Sequence, residues 1–271
     1  MKKISAYRSM LFLGIISFIS VFLIASIYIG SQVFIASRNG TLPLDSEILK
    51  KNMFDVVDTP LFFNSAVSGF SILYYFCRRK KRTIAPFNKQ PLPFYRYIRT
   101  VIFFAAFAFV IRIIVGLIVF LLSNNFTYDL DLESSTSLEF YNFLVCCFIV
   151  PVSEELIFRK ILISDLSLIY TQRKCAIIAI ACFVLMHNGT NALFALFLGT
   201  AIVYIYFKYN NLKLCIISHM AANIIGYMDG RLIAFNDDIL LIVLFFCMGI
   251  VAYYIFTEIK NNSKKNNNNC F

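Results

Sequence analysis

The chain has 271 residues, 59% hydrophobic and 15% charged, with 30 Phe, 15 Tyr and a formal net charge of +10. With a mean hydropathy of +0.74, this excludes an ordinary soluble globular domain and places the chain among polytopic membrane proteins. Apolar stretches of helical length dominate over alternating segments of about ten residues, so the fold class is all-α, a polytopic membrane helical bundle rather than a β-barrel.

In chain order, apolar runs at 10–35, 60–77, 100–122, 138–157, 175–187, 190–207, 214–228 and 239–257 predict about eight transmembrane helices, long enough or nearly so to cross about 30 Å of hydrocarbon. The first run follows Lys2, Lys3 and Arg8, as a signal peptide would. It is too long for one and has no convincing small-residue cleavage site, which makes it a retained first helix. Segment 78–99 carries Arg78, Arg79, Lys80, Lys81, Arg82, Lys89, Arg96 and Arg99, whereas 123–139 has no Lys or Arg and holds Asp129, Asp131, Glu133 and Glu139. Arg159 with Lys160, Arg173 with Lys174, Lys208 with Lys213, and Lys260 with Lys264 and Lys265 then fall on alternate ends. The positive-inside rule therefore predicts a multi-pass protein of the cell membrane with both termini cytoplasmic.

The basic excess is assigned to topology and to anionic membrane lipid, with no nucleic-acid partner. Residues 1–259 read as a single integral membrane domain, and the Asn/Lys-rich stretch 260–271 as a disordered polar cytoplasmic tail. The eight cysteines form no C-x-x-C metal pair and read as free, apolar-packed thiols.

Chemistry is carried by polar residues inside the apolar runs. The chain's two histidines, His187 and His219, both lie in such runs, and an ionisable residue at membrane depth is by default a functional-site candidate. The adjacent carboxylates Glu154 and Glu155 end another run. Glu155 and Arg159 are four residues apart, share a helix face and stand in the favourable acid-first order. Glu154 points about 100° away and is placed to face a cavity. A helix end reaching the cytoplasm, with a surface ion pair, explains the same spacing.

His187 closes the stretch from Phe183 and is followed by the turn signal Asn188-Gly189. From Cys175 to His187 is 13 residues, about 20 Å of helix and short of a full span. A turn within the membrane would put His187 at a cavity wall. A helix extended backward past Thr171, with His187 at the outer headgroups, accounts for the same residues. His219 and Asn223 are four apart on one face, a pattern equally expected of interhelical hydrogen-bonding glue. Arg112, mid-run in the third helix, should face the bundle and find a partner there, either as a substrate anchor or in a structural pair with an acid.

Glu-Glu-x-x-x-Arg at 154–159, Phe-x-x-x-His at 183–187 and His-x-x-x-Asn at 219–223 follow in order on successive predicted helices. The set resembles the three signature motifs of the CAAX protease and bacteriocin-processing family of intramembrane endopeptidases, also called the Abi family, over a core of about 145–228. The resemblance implies that Glu154 and His187 bind and activate the hydrolytic water, that His219 and Asn223 stabilise the oxyanion, and that Glu155, Arg159 and Phe183 support them. Relatives often have Gly after the motif arginine; here it is Lys160.

No cofactor is required by these roles. A zinc-dependent version, with Glu154, His187 and His219 as ligands, stays open because His₂Glu with an open position is a known catalytic set. Against it, the His-Glu-x-x-His spacing is absent and Glu155 would be left as the base. The expected partner is a peptide or membrane-protein substrate. The resemblance points toward maturation of a peptide bacteriocin or pheromone, or self-immunity, rather than prenylated-protein processing. A non-catalytic membrane scaffold or immunity protein and a proton-coupled transporter are the rival classes; the second lacks repeats or paired broken helices.

Overall fold

The computed structural model describes residues 2–39, 60–79, 92–123, 136–187, 189–232 and 237–268. These form helices α1 (Lys2–Asn39), α2 (Pro60–Arg79), α3 (Phe94–Ser123), α4 (136–166), α5 (Gln172–Leu185), α6 (Gly189–Tyr209), α7 (Leu212–Leu232) and α8 (Asp237–Asn268). There is no strand among the described residues. Each apolar run of the sequence falls on one helix, and the all-α membrane bundle stands. By length and composition, the stretches Phe94–Val119, Phe140–Leu166, Asn191–Tyr209 and Ile239–Lys260 are each able to cross a membrane, while Ser65–Cys77 and Leu212–Met228 are shorter apolar helices. The chain is a multi-pass membrane protein. Helix α8 continues to Asn268, into the stretch read above as a polar tail, and the loop charges Lys80, Lys81, Arg82 and Lys89 lie outside the described residues.

The chain divides into two compact units, Met1–Ala85 with Ser134–Ala179, and Pro86–Glu133 with Ile180–Phe271. In the first, α2 packs against α1 and α4, and α1 also meets the end of α4. Phe12 and Tyr74 stack between α1 and α2 with centroids 3.6 Å apart. Ser153 Oγ donates to Ser68 Oγ at 3.0 Å, tying α4 to α2.

Helix α4 is not a regular α-helix. Its α-helical stretches Thr136–Leu144, Val150–Glu155 and Ile163–Leu166 are joined by wide π turns at Val145–Ile149 and Leu156–Leu162. Pro151 explains the first, because a proline lacks the N–H that would bond four residues back and its ring presses on that residue's carbonyl. The widened turn replaces the bond, with the Val150 N–H reaching the carbonyl of Val145. The second begins just after Glu155, and the Ile163 N–H closes it on Phe158. Such turns inside α-helices occur often at functional sites. The run that the sequence ends near residue 157 thus continues to Leu166. Arg159, counted above as a loop charge, is 1% exposed inside it.

In the second unit α3 is central and packs on α6, α7 and α8, with α6 also against α7. Phe104, Ala108, Leu198, Ile202, Leu214 and Ala222 are among its fully buried apolar residues. The turn from α6 to α7 is made by Asn210, whose φ of 48° is left-handed backbone that asparagine tolerates. The next residue caps α7: Asn211 Oδ1 accepts from the Leu214 N–H at 3.0 Å. Arg99, near the start of α3, and Lys208, in the last turn of α6, both pair with Glu258 of α8, and the Tyr209 hydroxyl donates to the same carboxylate at 3.2 Å. Two charges read from the sequence as topogenic are therefore also internal struts.

Candidate active site

The first unit holds the paired acids. Glu155 Oε1 lies 3.0 Å from Arg159 Nη1, and the two side chains are 0% and 1% exposed. This is a buried ion pair, not the surface pair that the spacing alone allowed. Glu154 is half-buried, so the neighbouring acids do have different surroundings, as the helix geometry predicts. Asp165, in the last turn of α4, is 0% exposed as well. The sequence reading passed over it, although an acid following the apolar run Ile161-Leu162-Ile163 is the same signal that singles out Glu154.

The second unit gathers Phe183, His187 and His219. Helix α5 has 14 residues, about 21 Å, and starts at Gln172 rather than upstream of Thr171. It stops at Leu185, so His187 belongs to the turn that follows rather than to the helix. There the backbone tightens: Met186 N–H bonds to Phe183 O at 3.3 Å and His187 N–H to Val184 O at 3.0 Å, the usual closing of a last turn on three-residue bonds.

The imidazole joins in, with His187 Nδ1 lying 2.8 Å from the Phe183 carbonyl oxygen. A carbonyl can only accept, so Nδ1 carries the proton and donates, and in the neutral ring Nε2 holds the lone pair. The local fold thus selects the tautomer. It also gives His187 a plain structural job, capping the negative end of α5.

Phe183 is the hinge of the cluster. Its ring stands 4.7 Å from that of His187 at 52° and 5.9 Å from that of His219 at 72°, an edge-to-face arrangement. Phe183 is 1% and His219 2% exposed, and Asn223 is half-buried one turn further along α7. Gly199 of α6 makes room for the ring, since a Cβ there would stand 2.9 Å from Phe183 Cδ1.

Gly199→Ala should therefore force the Phe183 ring, and His219 with it, to move, at a cost of about 1–3 kcal/mol for overpacking. Thermal unfolding in detergent and peptide hydrolysis should both drop. An unchanged melting temperature and rate would show that the ring position does not matter.

Glu154 lies in the first unit and the histidines in the second. Neither unit, among the described residues, has a group of three His, Cys, Asp or Glu side chains placed to hold a metal ion. Arg112, on α3, reaches Asn191 and the Gly226 carbonyl and stands over the Phe194 ring, so it does face the interior of its bundle.

Residues 136–225 match the family model described as type II CAAX prenyl endopeptidase Rce1-like. The Rce1-like segment begins with α4, ends two residues after Asn223 and contains every candidate site residue from Glu154 to Asn223. The match supports intramembrane endopeptidase activity. Neither a curated protein nor a solved structure matches it.

Proposed function

We propose that the protein is an intramembrane endopeptidase that hydrolyses a peptide bond with a glutamate-activated water. The observation that carries the reading is the Phe183–His187–His219 ring cluster, with Phe183 and His219 buried and His187 half-buried, inside the segment that matches the Rce1-like family. Glu154 takes a proton from the water, while His187 Nε2 accepts a hydrogen bond from the water's other O–H and fixes its direction. The hydroxide adds to the scissile carbonyl carbon, and the former carbonyl oxygen becomes an oxyanion facing the His219 N–H and the Asn223 amide N–H. Glu154 then returns its proton to the leaving amine as the C–N bond breaks. Glu155 and Arg159 hold α4 in register for this. We place both termini in the cytoplasm and take the substrate to be a peptide bacteriocin, a peptide pheromone or a membrane protein.

His219→Ala should lower the rate of peptide hydrolysis about 10²–10³-fold, the usual loss for one oxyanion donor. The experiment uses the full chain in liposomes, a mixed-sequence peptide library and mass spectrometry of the products, with and without a chelator. Hydrolysis that survives chelation and fails in His219→Ala supports the glutamate mechanism. Loss on chelation and recovery with zinc would instead make Glu154, His187 and His219 ligands, a role that suits an imidazole whose other nitrogen donates to a carbonyl. A scaffold that keeps these residues as glue would show no hydrolysis in any arm.

A further inference from the structure

Gly249 leaves a gap in the outer face of α8. Phe245, Gly249 and Tyr253 follow one another at intervals of four residues, as do Phe246, Ile250 and Tyr254, which sets the six on two neighbouring ridges of the helix. A glycine inside a helix is disfavoured and needs a packing or functional reason. Close packing does not supply it, because among the described residues nothing lies within 4 Å of the place a Cβ would take. Phe245, Phe246 and Tyr253 are exposed beside the gap, which opens into a groove of about 560 Å³ between α8 and Ile102 of α3, with Arg99 at its end. Tyr254 follows Phe245 by nine residues, about 14 Å of helix and so about half of a hydrocarbon layer of about 30 Å.

The groove is apolar along its length and cationic at its end. Arg99, the sixth residue of the span Phe94–Val119, pairs with Glu258 and stands 5.0 Å from the centre of the Tyr254 ring. Lys208 pairs with the other oxygen of the same carboxylate. The Glu258 side chain is 7% exposed, against 29% for Arg99 and 22% for Lys208, so the negative charge lies inside and the positive charges outside it. Arg96, three residues earlier on the same face of α3, stands about 4.5 Å further out along the helix. These four side chains sum to +2. We propose that the groove binds one anionic glycerophospholipid, with its phosphate on Arg99 and Arg96 and one acyl chain lying along α8 in the gap at Gly249. Phosphate oxygens match the planar donor fork of arginine, and basic pockets between membrane helices take anionic head groups. A groove half a membrane deep matches an acyl chain of one leaflet. Bound there, the lipid braces α3 against α8. The lipid site makes no use of Glu154, His187 or His219.

The test titrates the full chain in detergent with phosphatidylglycerol, with phosphatidylcholine of the same acyl chains, and with glycerol 3-phosphate. Native mass spectrometry counts the bound molecules and reads the oligomeric state. Each net positive charge near an anionic head group is worth about fivefold, so phosphatidylglycerol should bind about 25-fold tighter than phosphatidylcholine. Glycerol 3-phosphate, which has the charge and no acyl chain, should not be retained at concentrations that saturate the lipid site. Gly249→Phe fills the gap and should lower the affinity for phosphatidylglycerol about tenfold or more. Arg99→Gln leaves Glu258 paired with Lys208 and should cut the preference for the anionic lipid about fivefold. Arg96→Gln, whose guanidinium bonds to the adjacent Tyr95 hydroxyl at 3.3 Å, should do the same and serves where Arg99→Gln does not accumulate.

Equal affinity for the two lipids in the wild type would overturn the proposal. So would an affinity unchanged by Gly249→Phe, or a preference unchanged by both arginine substitutions. Glycerol 3-phosphate binding as tightly as the lipid would also overturn it, since the site would then hold an anion without a chain. A dimer that Gly249→Phe splits would do the same, because the gap would then be a contact between two copies of the chain.

Discussion

Glu154→Gln is expected to lower peptide hydrolysis about 10²–10⁴-fold in liposomes, the range lost when a general base is removed, while the protein accumulates and melts as the wild type does. Glutamine keeps the shape of the side chain and its hydrogen-bonding reach but cannot take a proton from water. The half-buried position of Glu154 sets it apart from Glu155, whose ion pair with Arg159 is fully buried. The neighbouring acid is the control. Glu155 is already committed to Arg159, so whatever activity Glu155→Gln loses should come with lost stability. Full turnover in Glu154→Gln would remove the proposed base.

Glu155→Ala should cost about 3–5 kcal/mol of stability, because it leaves the guanidinium of Arg159 inside the protein without its carboxylate. Arg159→Ala should cost a similar amount for the converse reason. A buried pair need not stabilise a fold relative to apolar residues of the same volume, so Glu155→Leu combined with Arg159→Met should recover much of the loss. Denaturation in detergent measures all of these. If each single change shifts stability by less than about 0.5 kcal/mol, the pair behaves as an exposed one and its burial means little.

The helices were legible because hydrocarbon leaves a chain few alternatives: each apolar run had to satisfy its own backbone. Their ends were harder. A run is cut where charge begins, and Arg159 looks like such a place until Glu155 is seen to neutralise it within the helix. The π turns around Pro151 change the register locally, and a fixed 3.6-residue period cannot represent them.

The site divides in the same way. The local pairs Glu155–Arg159 and His219–Asn223 can be read from a spacing of four residues. The seating of Phe183 against Gly199, and the meeting of Arg112 with Asn191 and Gly226, depend on which helices touch, and no periodicity carries that. The bond from His187 to Phe183 is local too, yet it forms only because α5 ends at Leu185, and sequence alone leaves that boundary open. Glu258 shows the cost of counting charges by segment, since it joins Arg99 and Lys208 that were assigned to loops.

The most direct test of intramembrane proteolysis compares the membrane peptidomes of cells carrying wild-type or Glu154→Gln protein at matched abundance. The expected result is at least one truncated peptide present with the wild type and missing with Glu154→Gln, its uncut precursor retained in the membrane. Identical peptidomes, with both proteins folded and in the membrane, would contradict it.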